Sequence, residues 1–325
     1  MTGYLKNDFK SVSSRVADES KQREGISKKI MSFGIDFLDH ATRGILPDDL
    51  VILGARSGAG KTQFCVNLAL INSLMGKKVH MIALEASTLE IERRMKYLIL
   101  AELFYSDKDR VKTDTAMNFI NWYLGDHENT LAKYEDQARQ RTGFLENFFT
   151  FYKTDKFGIK ELIESVESVF DETDLIIIDH VHYFDFDDDN ENKALREITK
   201  TVRKICQVIQ RPIILVAHLR KRDKNNTEVA PGLDEFHGSS ELTKIATKVI
   251  SIGVGNMITP GLFETYVRIP KCRIDGSVTR YAGKVIFNGR TNRYDSNYEL
   301  GTISNSGSYD VVSPEKTPPW ARVKM

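Results

Sequence analysis

The sequence lacks the features that would staple the chain or carry it into a membrane. Its three cysteines, Cys65, Cys206 and Cys272, lie far apart, so no CxxC pair exists for a metal or redox centre. Isolated thiols fit a reducing compartment. No apolar run approaches the roughly 20 residues that span a bilayer. The N-terminus carries no apolar signal core, and Asp8, Asp18 and Glu19 do not fit an acid-poor targeting presequence. A cytoplasmic protein with no membrane partner is therefore expected. A surplus of charge is also missing: 46 Lys and Arg against 45 Asp and Glu give a net charge of +1. No bulk field points to nucleic acid, although acids elsewhere can balance a local basic stripe. No internal repeat is present.

What is present is an ordinary globular composition. Of 325 residues, 41% are hydrophobic and 28% charged, enough to build a sizeable core. Residues 1–31 are polar with scattered apolar positions and read as an arm or linker helix. From 32 to 299, strands and helices alternate. Leu50–Leu53, Val79–Leu84, Phe148–Tyr152, Leu175–Ile178 and Ile213–Ala217 read as strands. Val249–Gly253, Thr265–Ile269 and Lys284–Phe287 follow as further strands. Helical spacing covers Lys61–Met75, Thr88–Phe104, Ile159–Phe170 and Glu191–Ile209. Continuous apolar strands between helices predict an α/β fold, a mostly parallel twisted sheet with helices on both faces. Residues 300–325, rich in Ser, Gly and Pro, are expected to be a disordered tail.

The chemistry begins at ARSGAGKT, which is Ala55, Arg56, Ser57, Gly58, Ala59, Gly60, Lys61 and Thr62. It follows a predicted strand and opens a predicted helix, the context a phosphate-binding loop requires. Glycines there let backbone N–H groups turn toward phosphate oxygens, and the helix N-terminus adds positive charge. Lys61 would reach the β- and γ-phosphates of ATP or another nucleoside triphosphate, and Thr62 would hold Mg²⁺. Asp179, closing the run LIIID, is the second candidate for the metal. It either holds Mg²⁺ or caps the following turn. Glu85, after the second strand, either deprotonates water as a general base or favours the N-terminus of the next helix. His218, ending the strand at 213–217, either touches the γ-phosphate or is a structural histidine.

Taken together, these motifs resemble the RecA-like P-loop NTPase core of the hexameric replicative DNA helicases. That family includes DnaB, the phage helicase-primases and mitochondrial Twinkle. The likeness runs from about residue 32 to 295. It is carried by FGIDFLDHATRGILPDDLVILGARSGAGKT, ALEAS, IIIDHVHYF, VAHLRKRDKN, GSSELTKIATKVISI and KCRIDG. The alanine opening the phosphate loop is similar to DnaB, whereas the DHV and AHLRK segments look more like the phage branch. The resemblance implies that Glu85 activates water and that His218 senses the γ-phosphate. It also implies that Lys271 and Arg273 of KCR reach a neighbouring subunit's nucleotide. A homo-hexamer with nucleotide at its subunit interfaces and 5′-to-3′ movement on single-stranded DNA follow from the resemblance alone.

Two loops of that family face the DNA channel, here about 184–193 and 220–239. The second carries Arg220, Lys221, Arg222 and Lys224, with Gly238 and Ser239 offering backbone contacts. Such residues grip phosphate without reading sequence, although the same cluster also suits a solvated basic loop. The first loop departs from the pattern, since FDFDDDNENK carries Asp185, Asp187, Asp188, Asp189 and Glu191. Acids lining a DNA channel repel phosphate, so this run points away, meets a basic neighbour or binds a partner. In the tail, Trp320 after Pro318 and Pro319 is a candidate anchor for a polymerase or single-strand-binding protein. Two other functions share the phosphate residues: a RecA-type ATPase that does not unwind DNA, and an ATP-switched helicase loader.

Overall fold

The computed structural model describes residues 11–110, 117–143, 145–152, 155–185, 191–219, 229–236 and 240–322. Six strands run parallel: β1 (Leu50–Ala55), β2 (Val79–Ala83), β3 (Phe148–Tyr152), β4 (Leu175–Asp179), β5 (Ile213–His218) and β6 (Lys248–Thr259). Their order across the sheet is β3-β2-β4-β5-β1-β6. An antiparallel wing continues from β6 through β7 (Leu262–Cys272), β8 (Tyr281–Asn288), β10 (Glu299–Ile303) and β11 (Tyr309–Val311), and β9 (Arg293–Tyr294) pairs with β8.

The central strands are apolar at nearly every position because both faces are covered, as parallel sheets require. Val51, Leu53, Ile177, Ile214 and Val216 face one core. Their neighbours Leu50, Ile52, Ile176, Ile178, Ile213 and Leu215 face the other. The first core is closed by α2 (Asp36–Thr42), α3 (Lys61–Leu74), α4 (Thr88–Ser106) and α6 (Glu128–Gly143). The short α5 (Phe119–Tyr123) lies against this side through Phe119 and Trp122. The second core is closed by α7 (Ile159–Glu167), α8 (Glu191–Ile209) and α9 (Ser240–Ile245). In α8, Leu195, Ile198, Val202, Ile205 and Cys206 recur at helical spacing and form one buried stripe. Ahead of the sheet, none of the described side chains of α1 (Val12–Arg23) joins either core. No described helix is long and apolar enough to cross a membrane.

The expected disordered tail is corrected by the structure. Residues 299–303 and 309–311 add two strands to the wing, and residues 314–316 and 319–321 form short 3-10 turns. Trp320 packs edge-on against Phe37 and Tyr281, with ring centroids 6.1 and 5.5 Å apart. Its expected role as a free anchor for a partner loses its basis, because its own domain takes up the ring. Local composition misled because the order comes from tertiary contacts: the receiving ring, Phe37, lies far upstream in the chain.

This packing predicts that Trp320→Ala lowers stability by about 1–3 kcal/mol, measured by urea unfolding of the full chain. An unchanged midpoint would mean that the terminal turns do not brace the sheet.

Candidate nucleotide site at the strand ends

Parallel pairing decides which side chains meet. Ala55 at the end of β1 is in register with His218 at the end of β5, and Ala83 of β2 is in register with Asp179 of β4. Thus the phosphate loop, Asp179, His218 and Glu85 converge at one edge of the sheet. The loop itself follows β1 directly. Gly58 and Gly60 have φ of 76° and 85°, in the left-handed region that favours glycine. The Phe64 N–H donates to the Gly60 carbonyl at 2.8 Å, which starts α3 without a side-chain cap. The first N–H groups of α3 are left for another acceptor.

Lys61 is buried and, among the described residues, donates only long hydrogen bonds, 3.3 Å to the Ala55 carbonyl and 3.4 Å to that of Arg56. Burial lowers its pKa, opposed by the negative charges of Asp179 and Glu85. A buried ammonium on long carbonyl contacts is a strong receptor for an anion. Thr62 donates from Oγ1 to Asp179 Oδ2 at 2.7 Å. The other carboxylate oxygen, Asp179 Oδ1, is buried with no hydrogen-bond partner among the described residues. Burial raises this carboxyl group to about 6, helped by the charge of Glu85 and opposed by the Thr62 hydrogen bond and Lys61. An orphaned buried carboxylate oxygen beside a threonine hydroxyl is a donor set that fits a hard divalent cation.

Glu85 sits in the bend between β2 and α4, beyond the strand end. The competing role as a helix-start residue belongs to Ser87, whose hydroxyl accepts from the Glu90 N–H at 3.2 Å. That frees the Glu85 carboxylate, whose Oε2 lies 3.1 Å from His180 Nε2. Among the described residues, ligand-capable atoms of Glu85, His180 and His218 lie within 4.8 Å of one another. The rings of His180 and His218 meet edge to face at 4.0 Å, and His182 packs 5.8 Å from His218. Burial lowers the pKa of all three histidines, to about 3 for His180 and about 4 for His182. They are therefore neutral near pH 7.

Sequence reasoning missed His180 and His182. The signal was present in IIIDHVHYF: two histidines directly after the candidate metal acid, on the turn that passes His218. It also missed Arg56–Glu235, a 3.1 Å ion pair that ties the phosphate loop to residues 233–236.

Lys271 and Arg273 lie elsewhere. Cys272 is in register with Lys248 at the start of β6, and the Arg273 N–H donates to the Thr247 carbonyl at 2.8 Å. They therefore occupy the opposite edge of the sheet, about 17 Å from the phosphate loop by strand rise. Lys271 donates to the carbonyls of Thr243 and Lys244 at 2.6 and 2.8 Å, capping the end of α9. Arg273 is exposed. The six residues expected to bind DNA, Arg220, Lys221, Arg222, Lys224, Gly238 and Ser239, lie outside the described residues, as do Asp187, Asp188 and Asp189 of the acidic run.

Residues 31–297 match the model of the DnaB-like helicase C terminal domain. The chain belongs to this family. The replicative DNA helicase DnaB of Pasteurella multocida is 24% identical over 230 residues, covering 68% of this chain and 46% of that protein. The Haemophilus influenzae DnaB is 23% identical over 272 residues, covering 81% of this chain and 54% of that protein. The chain thus spans about half the length of these curated relatives. Among solved structures, one described as an ATPase domain superposes with a TM-score of 0.71 at 16% identity, covering 89% of this chain and all of that one. A DnaB-like replicative helicase, solved in a study of its interactions with primase, gives 0.65 at 16% identity over 88% of this chain and 67% of that one. These likenesses establish the RecA-type fold.

The buried carboxylate makes a pH prediction. The folded pKa of Asp179, about 6, exceeds the ordinary value of 3.8. The uncompensated charge therefore costs nothing at low pH, and its penalty grows as the pH rises from about 4 to 6. In chelator at pH 8, Asp179→Asn is expected to stabilise the fold by about 2 kcal/mol, and the gain vanishes by about pH 4. Added Mg²⁺ should raise the melting temperature of the original protein and leave that of the variant unchanged. Equal melting of the two proteins at pH 8 in chelator would contradict this account.

Proposed function

We propose that this chain is the motor of a ring-forming, ATP- and Mg²⁺-dependent DNA helicase, moving 5′ to 3′ on single-stranded DNA to unwind duplex during replication. The RecA-like unit begins near Met31 and extends through the terminal turns, with residues 1–31 as an arm between subunits. The backbone of residues 55–60 and Lys61 bind the phosphates. Thr62 and Asp179 hold Mg²⁺, with the free Asp179 Oδ1 as the second ligand position. Mg²⁺ supplies charge neutralisation on the phosphate oxygens when bound. Glu85 accepts the proton of the attacking water, and His218 reads the γ-phosphate. Arg273 completes the site of a neighbouring subunit, and Lys271 steadies α9 beside it. Arg220, Lys221, Arg222, Lys224, Gly238 and Ser239 grip the strand.

The observation that carries this reading is the Thr62–Asp179 pair with its unpartnered oxygen, set beside Lys61 and Glu85. The trans role of Arg273 is supported by distance: the sheet separates it from its own phosphate loop by more than an arginine side chain extends. The ion pair of Arg56 with Glu235 ties the phosphate loop to residues 233–236, which lie in sequence between the two groups of residues assigned to the strand.

Steady-state ATP hydrolysis with and without single-stranded DNA tests the proposal. Stimulation by DNA is expected, with turnover abolished by Lys61→Ala. Arg273→Ala should lower turnover by roughly 10³-fold. Mixed with the original protein, it should depress activity more than in proportion to its share, because each arginine serves another subunit. A linear decline would place the arginine in its own site. Turnover indifferent to DNA would favour a RecA-type ATPase without unwinding, and no turnover by a folded, assembled protein would favour an ATP-switched loader.

A further inference from the structure

Glu85 has a mechanical problem. It lies in a bend, about two-fifths exposed, with a flexible side chain. A general base must be held within a narrow range of positions to be effective. Lys61 attracts it but donates its hydrogen bonds to the carbonyls of Ala55 and Arg56, and Asp179 repels it.

His180 is the group built to hold it. The ring is wholly buried and packed edge-on between His218, at 4.0 Å, and Tyr183, at 4.7 Å. Its Nδ1 accepts the His182 backbone N–H at 3.3 Å. That bond fixes the tautomer: Nδ1 offers a lone pair, so the proton of the neutral ring is on Nε2. Nε2 faces Glu85 Oε2 at 3.1 Å but is not aligned for a hydrogen bond, and among the described residues it has no other partner. Leaving a buried N–H unpartnered costs free energy, so the ring has one favourable response, to take the carboxylate. Catalytic hydrogen bonds are often misaligned before substrate binds and tighten when the site closes. The spacing of Glu85, His180 and His218 would also suit a transition metal. The proton on Nε2 argues against that, because a metal-bound nitrogen needs its lone pair.

We propose that His180 is a positioning residue for the reaction, a fixed buried donor that latches the Glu85 carboxylate beside His218. The base and the γ-phosphate sensor then form one mechanical unit. The inference rests on the proposed hydrolysis. The step is a hydrogen bond only: the Nε2 proton stays on His180, and Glu85 keeps the lone pair that takes the proton from water.

The test compares kcat, KM for ATP and fluorescent-nucleotide binding in three variants of the full chain. His180→Phe keeps the ring in its stack and removes the donor. It is expected to lower kcat by about 10²-fold, with KM and nucleotide affinity changed less than about twofold. His180→Gln restores an N–H near the same point and should recover at least half of the lost kcat on a logarithmic scale. Adding His180→Phe to Glu85→Gln should cost nothing further, since the latch then has no base to hold. Equal losses in Phe and Gln, a matching rise in KM, or additive losses with Glu85→Gln would overturn the proposal in favour of a packing role. Absence of turnover in the original protein would instead refute the hydrolysis reading on which it rests. Should His180→Phe fail to fold, the Gln variant against Glu85→Gln provides the same cycle: full additivity refutes the latch.

Discussion

Parallel pairing of β1, β5, β4 and β2 is the constraint on which the site depends. In a parallel sheet every strand ends at the same edge, so groups placed just after the strands meet there without being neighbours in sequence. Register completes the alignment: Ala55 with His218 and Ala83 with Asp179. Slipping one strand by a residue would turn its side chains to the other face, and would also move a functional group off the edge. The two apolar cores therefore protect more than stability. Leu50 and Ile52 face one core while Val51 and Leu53 face the other, and this alternation pins the register that brings Thr62 to Asp179.

The same edge is where the fold accepts electrostatic cost. Asp179 is buried with one oxygen unsatisfied, and Lys61 is buried against carbonyls at the limit of hydrogen bonding. Burial, the charge of Lys61 and, for His180 and His182, the adjacent His218 lower the pKa of the three histidines. A sequence selected only for folding would replace these groups with apolar or paired ones. Elsewhere, buried charge is matched: Lys248 Nζ lies 2.5 Å from Asp49 Oδ2, and Thr247 donates to Asp49 Oδ1 at 2.6 Å. The contrast between a paired charge at the base of β1 and unpaired charges at its top separates scaffold from site.

Much of this was legible in the residues. Strands buried on both faces announce themselves as apolar runs, and the glycine-rich loop between strand and helix carries its own context. Hence Lys61, Thr62 and Asp179 stood out as candidates, and Glu85 and His218 with them. The tail was not legible, because Trp320 packs on Phe37 and Tyr281, contacts that local composition does not reveal. The role of Lys271 as a cap for α9 was hidden for the same reason. His180 lay in plain view, but its meaning depends on a tautomer set by the backbone of His182. Such a fact exists only in three dimensions.

A final consequence concerns the two edges of the sheet. β1 carries the phosphate loop at one end and, at the other, Asp49, which holds Thr247 and Lys248 in place. Thr247 in turn fixes the backbone of Arg273. One strand therefore sets the positions of two groups that cannot meet within the chain, because the length of the strand lies between them. If Arg273 acts on a nucleotide, that nucleotide belongs to another copy, and the copy must dock its phosphate edge against this arginine edge. Such contact is head to tail, and head-to-tail contacts either close into a ring or continue as a filament.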